Sequence, residues 1–151
     1  MGAVMERTDE ALLQASLAAR QHSHSPYSGY AVGAAILDEQ GRIHAGANIE
    51  NAAYPQGWCA EATALGAMVM AGGRRAVAVL VTGPGPEVIT PCGGCRQKLR
   101  EFAGPGLRII AGDPGGIRRE WTLEELLPHS FGPDHLNLHL NLHLDHNKTT
   151  S

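Results

Sequence analysis

The sequence predicts a single α/β domain in which helices pack against a mixed β-sheet. Segments with helical spacing alternate along the chain with short runs of small and β-branched apolar residues. A turn sequence at 38–41 joins two of these runs, so at least one strand pair is expected to be antiparallel. The length of 151 residues and the hydrophobic content of 43% suit one core of ordinary size.

The first part of the chain is expected to hold one helix and a pair of strands. Thr8 is a favourable N-cap residue, so the first helix is expected to start after it and to fade near His22. Residues 30–37 form an apolar run that is typical of a covered strand. The turn at 38–41 then leads to an antiparallel partner strand over 42–49.

The rest of the chain is expected to add helices and strands in alternation. Residues 59–71 have helical composition and end at a Gly-Gly pair that suits a left-handed cap. The further elements are expected over 76–82 (strand), 92–102 (helix), 107–111 (strand) and 117–121 (strand). The sequence Thr122-Leu123-Glu124-Glu125 is a capping box, which predicts a short final helix.

The composition argues against several classes of partner. The formal charge is −3 and no run of Lys and Arg occurs, so a nucleic-acid partner is not expected. We expect no membrane association, because no stretch approaches a membrane span and the first ten residues do not resemble a signal peptide. An odd number of cysteines, two of them in a CxxC motif, fits metal ligation in the reducing cytoplasm better than disulfides.

All three cysteines belong to two short motifs, Cys59-Ala60-Glu61 and Pro91-Cys92-Gly93-Gly94-Cys95. A zinc ion held by three thiolates keeps one tetrahedral position open, which is the pattern of catalytic zinc sites. Glu61 lies two residues beyond a ligand and suits the role of proton shuttle for a zinc hydrolase. We therefore expect one zinc ion per chain on Cys59, Cys92 and Cys95, with Glu61 as the catalytic acid and base.

Both cysteine motifs are expected at the start of a helix, where free N–H groups and the helix dipole favour thiolates. Cys92 and Cys95 are expected on one face of the first helical turn, so that both sulfurs reach one ion. The alternative is a closed structural zinc site with a fourth ligand, for which His44 is the candidate.

The cysteine motifs stand among further sequence blocks in an order that resembles the cytidine deaminase family over about residues 8–136. The blocks that carry this resemblance are Ser25-Pro26-Tyr27-Ser28, Val32-Gly33-Ala34-Ala35, residues 46–54 (GANIENAAY), Arg96-Gln97-Lys98-Leu99 and residues 126–131 (LLPHSF). The resemblance implies a three-layer α/β/α sandwich with a five-stranded mixed sheet. It places the catalytic domain at 1–135 and leaves 136–151 as a C-terminal extension.

The resemblance also implies an activity and an assembly. The activity is zinc-dependent hydrolytic deamination of cytidine and 2′-deoxycytidine to uridine and 2′-deoxyuridine, with release of ammonia. The assembly is a homotetramer in which the active sites are shared between subunits. The substrate-binding residues implied are Asn48 and Glu50 for the sugar 3′-hydroxyl, Tyr30 for the pyrimidine ring, the backbone near Ala60, and Ala52, Tyr54 and Phe131 at a subunit interface.

The residues by themselves support the sugar-binding pair. Asn48 and Glu50 alternate along a strand end and therefore share one side of the sheet. An amide and a carboxylate that project together suit two-point recognition of a hydroxyl group. The alternative is that both are polar edge residues of a hairpin, and Tyr30 has the alternative of an ordinary core residue.

The chain departs from the family at Ala62, where the three-cysteine form usually has Arg. Without that guanidinium, the helix ends or Arg96 would have to offset the negative charge of the thiolates. Residues 136–144 alternate apolar and polar side chains, which suits a strand, but His135, His139 and His143 would align on a helix. We expect these residues to be part of a flexible extension.

Two rival functions remain open at this point. A blasticidin-S-type or modified-cytidine deaminase would share the zinc motif, although the block at 48–54 argues against it. A non-catalytic interaction module stabilised by zinc would share the three cysteines, although an intact Glu61 argues against it.

Overall fold

A computed structural model describes residues 2–136 and shows a five-stranded mixed sheet with helices on both faces. The strand order is β2-β1-β3-β4-β5, in which β3 and β4 are parallel and the other neighbours are antiparallel. The elements are α1 (Gly2–Arg20), β1 (Gly33–Asp38), β2 (Ile43–Ala47), α2 (Ala60–Met70), β3 (Ala76–Thr82), α3 (Gly93–Glu101), β4 (Arg108–Asp113), β5 (Gly116–Thr122) and α4 (Leu123–Leu126). Short 3₁₀ helices cover Tyr54–Gln56 and Pro133–His135. The predicted α/β class and mixed sheet are confirmed.

Alternate residues of each central strand enter two separate cores, one on each face of the sheet. Ile36, Val79 and Val81 pack with residues of α2, α3 and α4, including Met68 and Leu99. On the other face, Ala35, Ala78, Leu80 and Ile110 pack with Leu12 and Leu13 of α1. This period of two is what strands covered on both faces require, and it produces three layers. No helix among residues 2–136 is long and apolar enough to cross a membrane.

The predicted start of α1 is wrong, because the helix begins at Gly2 and Thr8 lies inside it. The Thr8 hydroxyl donates to the Val4 carbonyl at 2.9 Å, one turn back along the helix, so it caps nothing. Asp9 forms two hydrogen bonds with the Arg108 guanidinium, at 2.9 and 2.8 Å. The Asp9 carboxylate thus contacts a residue that is 99 positions away in the sequence.

The predicted strand over 30–37 begins three residues late, at Gly33. The Asn48 side chain makes hydrogen bonds to this segment that a neighbouring strand would otherwise make. Its Oδ1 accepts from the Val32 N–H at 2.9 Å, and its Nδ2 donates to the Tyr30 carbonyl at 2.8 Å. Arg20 Nε also donates to the Ala31 carbonyl at 2.9 Å, and the Asn48 N–H donates to the Val32 carbonyl at 3.2 Å. The first part of the expected strand is therefore held mainly by side chains and not by a continuous ladder.

The other elements lie within two residues of their predicted bounds, and β3 matches its predicted range. The capping residue of α4 is confirmed, because the Thr122 hydroxyl accepts from the Glu125 N–H. The expectations for residues 136–151 fall on a segment that, apart from Leu136, lies outside the described residues.

Helix α2 lies directly against β2 at Gly46. A Cβ atom on Gly46 would come within 2.6 Å of the Ala64 backbone nitrogen and within 2.9 Å of the Ala60 carbonyl oxygen. The Thr63 hydroxyl also donates to the Ala47 carbonyl at 3.0 Å. The absence of a side chain at Gly46 therefore sets how closely the first turns of α2 approach the sheet.

We expect Gly46→Ala to destabilise the protein, because the added methyl meets backbone atoms that cannot move without shifting α2. Overpacking of this kind costs about 1–3 kcal/mol. Urea unfolding measures the loss, and the zinc content of the variant reports whether Cys59 has been displaced. The control is Gly66→Ala on the same helix, where nothing lies within 4 Å of the added atom. That variant should be neutral or stabilised, by about 1 kcal/mol at most, and equal losses in both variants would contradict the close-approach explanation.

Candidate metal centre and substrate cleft

The ends of three neighbouring strands lie together at one end of the sheet. Strand β2 ends at Ala47 and β3 ends at Thr82, and both of these residues pair with Gly33 at the start of β1. The chain that leaves β2 reaches Cys59 at the start of α2, and the chain that leaves β3 reaches Cys92 at the start of α3. The topology therefore brings together two cysteine motifs that are 33 residues apart.

The Sγ atoms of Cys59, Cys92 and Cys95 all lie within 4.8 Å of one another. The Cys59 and Cys92 sulfurs are 3.9 Å apart. With Zn–S bonds of about 2.3 Å, a tetrahedral ion needs sulfurs separated by about 3.8 Å, so the donor set fits zinc. Within residues 2–136, no other group of three or more His, Cys, Asp or Glu side chains is close enough to hold a metal ion.

His44 is not part of this cluster. Its Nε2 lies 2.8 Å from Asp38 Oδ2, in the hairpin that joins β1 and β2. Asp38 is itself buried and accepts further hydrogen bonds from the Gln40 and Arg42 N–H groups, at 2.8 and 3.0 Å. The histidine that could have closed the zinc site therefore stabilises a turn.

Two of the three cysteines occupy the N-cap positions of their helices, Cys59 on α2 and Cys92 on α3. The prediction had placed Cys92 within the first turn, and it lies one position earlier. Burial acts to raise the pKa of the Cys92 thiol, but hydrogen bonds from the Cys95 N–H and from the neighbouring thiols lower it overall. The helix N-terminus thus favours the thiolate that zinc requires.

Glu61 is buried, with 5% of its surface exposed, and burial raises the pKa of its carboxyl group. Cys95 is 1% exposed, and the pKa of its thiol is strongly raised. Burial is the main cause, and the charge of Glu61 is the next. Burial and the neighbouring Cys92 also raise the pKa of Cys59. Four acidic groups thus crowd one small space, and a dication is the ligand that would relieve their mutual repulsion.

The guanidinium of Arg96, which the sequence suggests as a source of compensating charge, is hydrogen-bonded to other groups. Its Nε donates to the Pro91 carbonyl at 2.7 Å, and its terminal nitrogens donate to the Leu126 carbonyl at 2.7 Å and to the Thr90 hydroxyl at 2.8 Å. Arg96 therefore fixes the loop that precedes Cys92 and joins it to α4.

A cleft of about 280 Å³ is connected to the first cysteine motif along the chain, because Gly57, two residues before Cys59, forms part of its wall. The other lining residues are Tyr27, Ser28, Glu50, Asn51 and Tyr54. Glu50 Oε1 accepts from the Tyr27 and Ser28 N–H groups at 2.9 and 3.1 Å, and its Oε2 accepts from the Ser28 hydroxyl. These hydrogen bonds lower the pKa of Glu50 and keep it ionised, and the bond from the Ser28 hydroxyl has the largest effect.

Asn48 lies two residues before Glu50 and is engaged within the chain. Besides its bonds to Val32 and Tyr30, its Oδ1 accepts from the Ser23 hydroxyl. The amide nitrogen donates one of its two hydrogens to Tyr30, and the hydrogen-bond partners found in residues 2–136 leave the second hydrogen for a ligand.

The remaining predicted residues differ in how exposed they are. Tyr30 is 40% exposed, and its hydroxyl lies beside Gly83 in the loop after β3, outside the cleft lining. Ala60 is fully buried at the start of α2. Tyr54 is 73% exposed and Phe131 is 58% exposed, and the Phe131 ring stacks on His135 at 5.1 Å. Ala52 is also exposed, so several of the residues expected at a subunit interface are uncovered in the single chain.

The structure adds Tyr27 and Ser28, to which the sequence analysis gave no role. They hold Glu50 through three hydrogen bonds and line the cleft with it. The sequence signal was the block Ser25-Pro26-Tyr27-Ser28, whose proline marks a turn.

Comparisons with known proteins agree with this site. Residues 6–110 match the family model described as the cytidine and deoxycytidylate deaminase zinc-binding region. The cytidine deaminase of Halalkalibacterium halodurans is 38% identical over 126 residues, which cover 83% of this chain and 96% of that protein. The cytidine deaminase of Sporosarcina psychrophila is 40% identical over 85% of this chain and 94% of that protein. The crystal structure of cytidine deaminase from Burkholderia pseudomallei superposes with a TM-score of 0.75 at 38% identity, covering 81% of this chain and 98% of that one.

Proposed function

The chain belongs to the cytidine and deoxycytidylate deaminase family, and we propose that it hydrolyses cytidine and 2′-deoxycytidine to uridine and 2′-deoxyuridine, with release of ammonia. The observation that carries this proposal is the cluster of three cysteine sulfurs within 4.8 Å of one another. The buried Glu61 lies on the first turn of α2, the helix that Cys59 caps. Three sulfur ligands leave one coordination position for chemistry, which a structural zinc site does not offer.

Cys59, Cys92 and Cys95 are the residues that would hold the metal. When bound, zinc supplies the Lewis acidity that makes water a nucleophile at neutral pH. The buried position of Glu61 keeps its carboxylate away from bulk solvent, so the protons it receives are available to the substrate.

Glu61 is proposed to move two protons in each turnover. Its carboxylate accepts a proton from the attacking water and delivers it to N3 of the pyrimidine as the oxygen adds to C4. It then takes the second proton of the former water and gives it to the exocyclic nitrogen. The C4–N bond breaks, ammonia leaves, and the ring retains the oxygen at C4 and the hydrogen at N3.

The cleft supports a nucleoside substrate over a free base. Glu50 lies in its wall as an ionised carboxylate, which is a strong acceptor for a sugar hydroxyl, and Asn48 retains one amide hydrogen as a donor. We assign the sugar 3′-hydroxyl to this pair and the pyrimidine ring to the neighbourhood of Tyr30 and the Ala60 backbone.

The test of the function is a substrate panel with the zinc-loaded protein, followed by ultraviolet absorbance and ammonia release. Cytidine and 2′-deoxycytidine should be deaminated, whereas cytosine and blasticidin S should not. Turnover of blasticidin S in preference to cytidine would establish the rival deaminase activity. Absence of ammonia from every compound would favour the zinc-stabilised interaction module.

Glu50→Gln is expected to raise KM for cytidine with a smaller effect on kcat, because the sugar contact is made in the ground state and in the transition state. Loss of a hydrogen bond to a charged acceptor costs about 1.5–3 kcal/mol, or about 10- to 150-fold in kcat/KM. The matched control is Glu87→Gln, which removes an exposed carboxylate elsewhere. With 3′-deoxycytidine, wild type and Glu50→Gln should perform alike. An equal loss with both nucleosides would show that Glu50 only holds the turn at Tyr27 and Ser28.

We further propose that the chain acts as a homotetramer in the cytoplasm. The exposure of Tyr54 and Phe131, together with that of Trp58 and Met70 at 51% and 87%, supports burial of this surface by other subunits. A three-thiol metal site is best preserved in a reducing compartment.

A further inference from the structure

The metal centre described above carries an excess of negative charge. Zinc binding replaces three thiol protons by one dication, so the loaded cluster has one more negative charge than the metal-free one. Glu61 adds a buried carboxylate on the same helical turn as Cys59. A cation near the sulfurs would therefore stabilise the zinc-loaded form relative to the metal-free form.

Lys98 brings an ammonium group to this position. A Cβ atom on Gly94 would lie 3.7 Å from Lys98 Nζ and 4.0 Å from Cys92 Sγ. The ammonium nitrogen and the sulfur are therefore less than about 8 Å apart, within one Debye length at physiological salt. Lys98 lies one turn after Gly94 on α3, so its side chain extends back along the helix toward the N-terminus.

Lys98 on α3 and Ala62 on α2 share one groove. Both residues line the groove between α2 and α3, which has a volume of about 470 Å³ and is otherwise lined mainly by apolar groups such as Trp58, Leu65 and Phe102. Such walls suit the methylene stem of a lysine whose charged end lies at the rim. Ala62 is 5% exposed and projects only a methyl group, so α2 contributes no cation here.

Two other charged side chains lie nearby. The Arg96 guanidinium keeps its charge, but its hydrogen bonds go to Pro91, Thr90 and Leu126 and hold it against the loop before Cys92. Glu101 lines the same groove, but the ion pairs found among residues 2–136 do not include one between Glu101 and Lys98. The Lys98 ammonium is therefore available to the cluster.

We propose that Lys98 is a positioning residue that supplies the positive charge of the zinc site from α3, in a protein whose α2 carries alanine at position 62. Lys98 does not touch substrate and acts through the electrostatic stabilisation of the thiolates. The inference rests on the zinc site of the proposed function. The metal content of the wild-type protein tests that function, whereas the difference between variants tests the role of Lys98.

The experiment measures the zinc dissociation constant by competition with a chromophoric chelator. Lys98→Met removes the charge and keeps the length of the stem, Lys98→Arg keeps the charge, and Arg7→Met removes an exposed charge from α1 on the other face of the sheet. We expect zinc binding about two- to tenfold weaker in Lys98→Met, the effect of one unit charge about 8 Å away near a protein surface. Lys98→Arg and Arg7→Met should match wild type, and added salt should shrink the loss.

Two further readouts separate charge from packing. The thiolate-to-metal absorption band of the cobalt-substituted protein should shift in Lys98→Met and not in Lys98→Arg. Adding Ala62→Arg to Lys98→Met should restore zinc affinity from the facing helix. Wild-type zinc affinity in Lys98→Met, or an equal loss in Lys98→Arg, would overturn the proposal. If the wild-type protein binds no zinc, the proposed function and this inference fail together.

Discussion

Glu61→Gln is expected to reduce kcat by at least about 10²-fold, because general acid–base catalysis typically contributes about 10²–10⁴-fold. The amide is nearly the same size as the carboxylate but cannot accept a proton from water or return one to the ring. Zinc content and nucleoside binding should persist, because Glu61 is not one of the three sulfur ligands. Steady-state rates, metal analysis and isothermal titration with cytidine measure the three quantities.

The matched control is Glu124→Gln on α4, where the side chain is exposed and the rate should be unchanged. A Glu61→Gln protein that is folded, loaded with zinc and retains more than about a tenth of the wild-type rate would rule out the proton-shuttle role, since that loss lies well outside the range for acid–base catalysis.

Cys95→Ser is expected to abolish both zinc retention and deamination. Cys95 is 1% exposed and its sulfur completes the three-atom cluster, and a hydroxyl is a poor replacement for a thiolate on zinc. The loss of zinc affinity should exceed the roughly 10- to 100-fold cost of removing an outer partner of a ligand. Zinc per chain after dialysis and the melting temperature measure the effect.

Wild-type protein stripped of zinc by a chelator is the reference for this variant. If Cys95→Ser acts through the metal alone, the two proteins should melt at the same temperature, and added zinc should raise the melting temperature of the wild type only. A Cys95→Ser protein that keeps one zinc per chain and full activity would show that the metal is held elsewhere.

The features of this protein that the sequence revealed are those governed by local spacing. The strands β3 and β4 could be predicted because Val79, Val81 and Ile109 alternate with residues of the opposite core, which is the period of a covered strand. The cysteine cluster could be predicted because Cys92 and Cys95 are separated by one helical turn at a helix start.

The features that the sequence missed depend on contacts between distant segments. Thr8 has the signature of an N-cap, but α1 continues through it, and Asp9 is used by Arg108 on β4. The strand expected from Tyr30 begins at Gly33, because the side chains of Asn48 and Arg20 form hydrogen bonds with the backbone before it. No pattern in a single sequence indicates which distant side chain will take a backbone partner.

The same limit applies to the charge of the metal centre. The sequence suggests Arg96 as a replacement for the missing arginine at position 62, but its guanidinium is hydrogen-bonded to Pro91 and Leu126. Lys98 lies further along the chain, yet its ammonium group extends back to Gly94, beside Cys92. The relevant distance is set by the return of a long side chain along a helix, which residue types alone do not reveal.

Deamination of cytidine in oxygen-18 water shows whether this chain hydrolyses the substrate at C4 with a water activated at the three-cysteine site. Mass spectrometry should show one oxygen-18 atom in the uridine product. An ammonia assay should show one ammonia released per uridine. The zinc-loaded wild type should form this product, and Glu61→Gln should form almost none. Uridine without the label, or no uridine from protein that holds one zinc per chain, would be incompatible with hydrolysis at C4 by a water activated at this site.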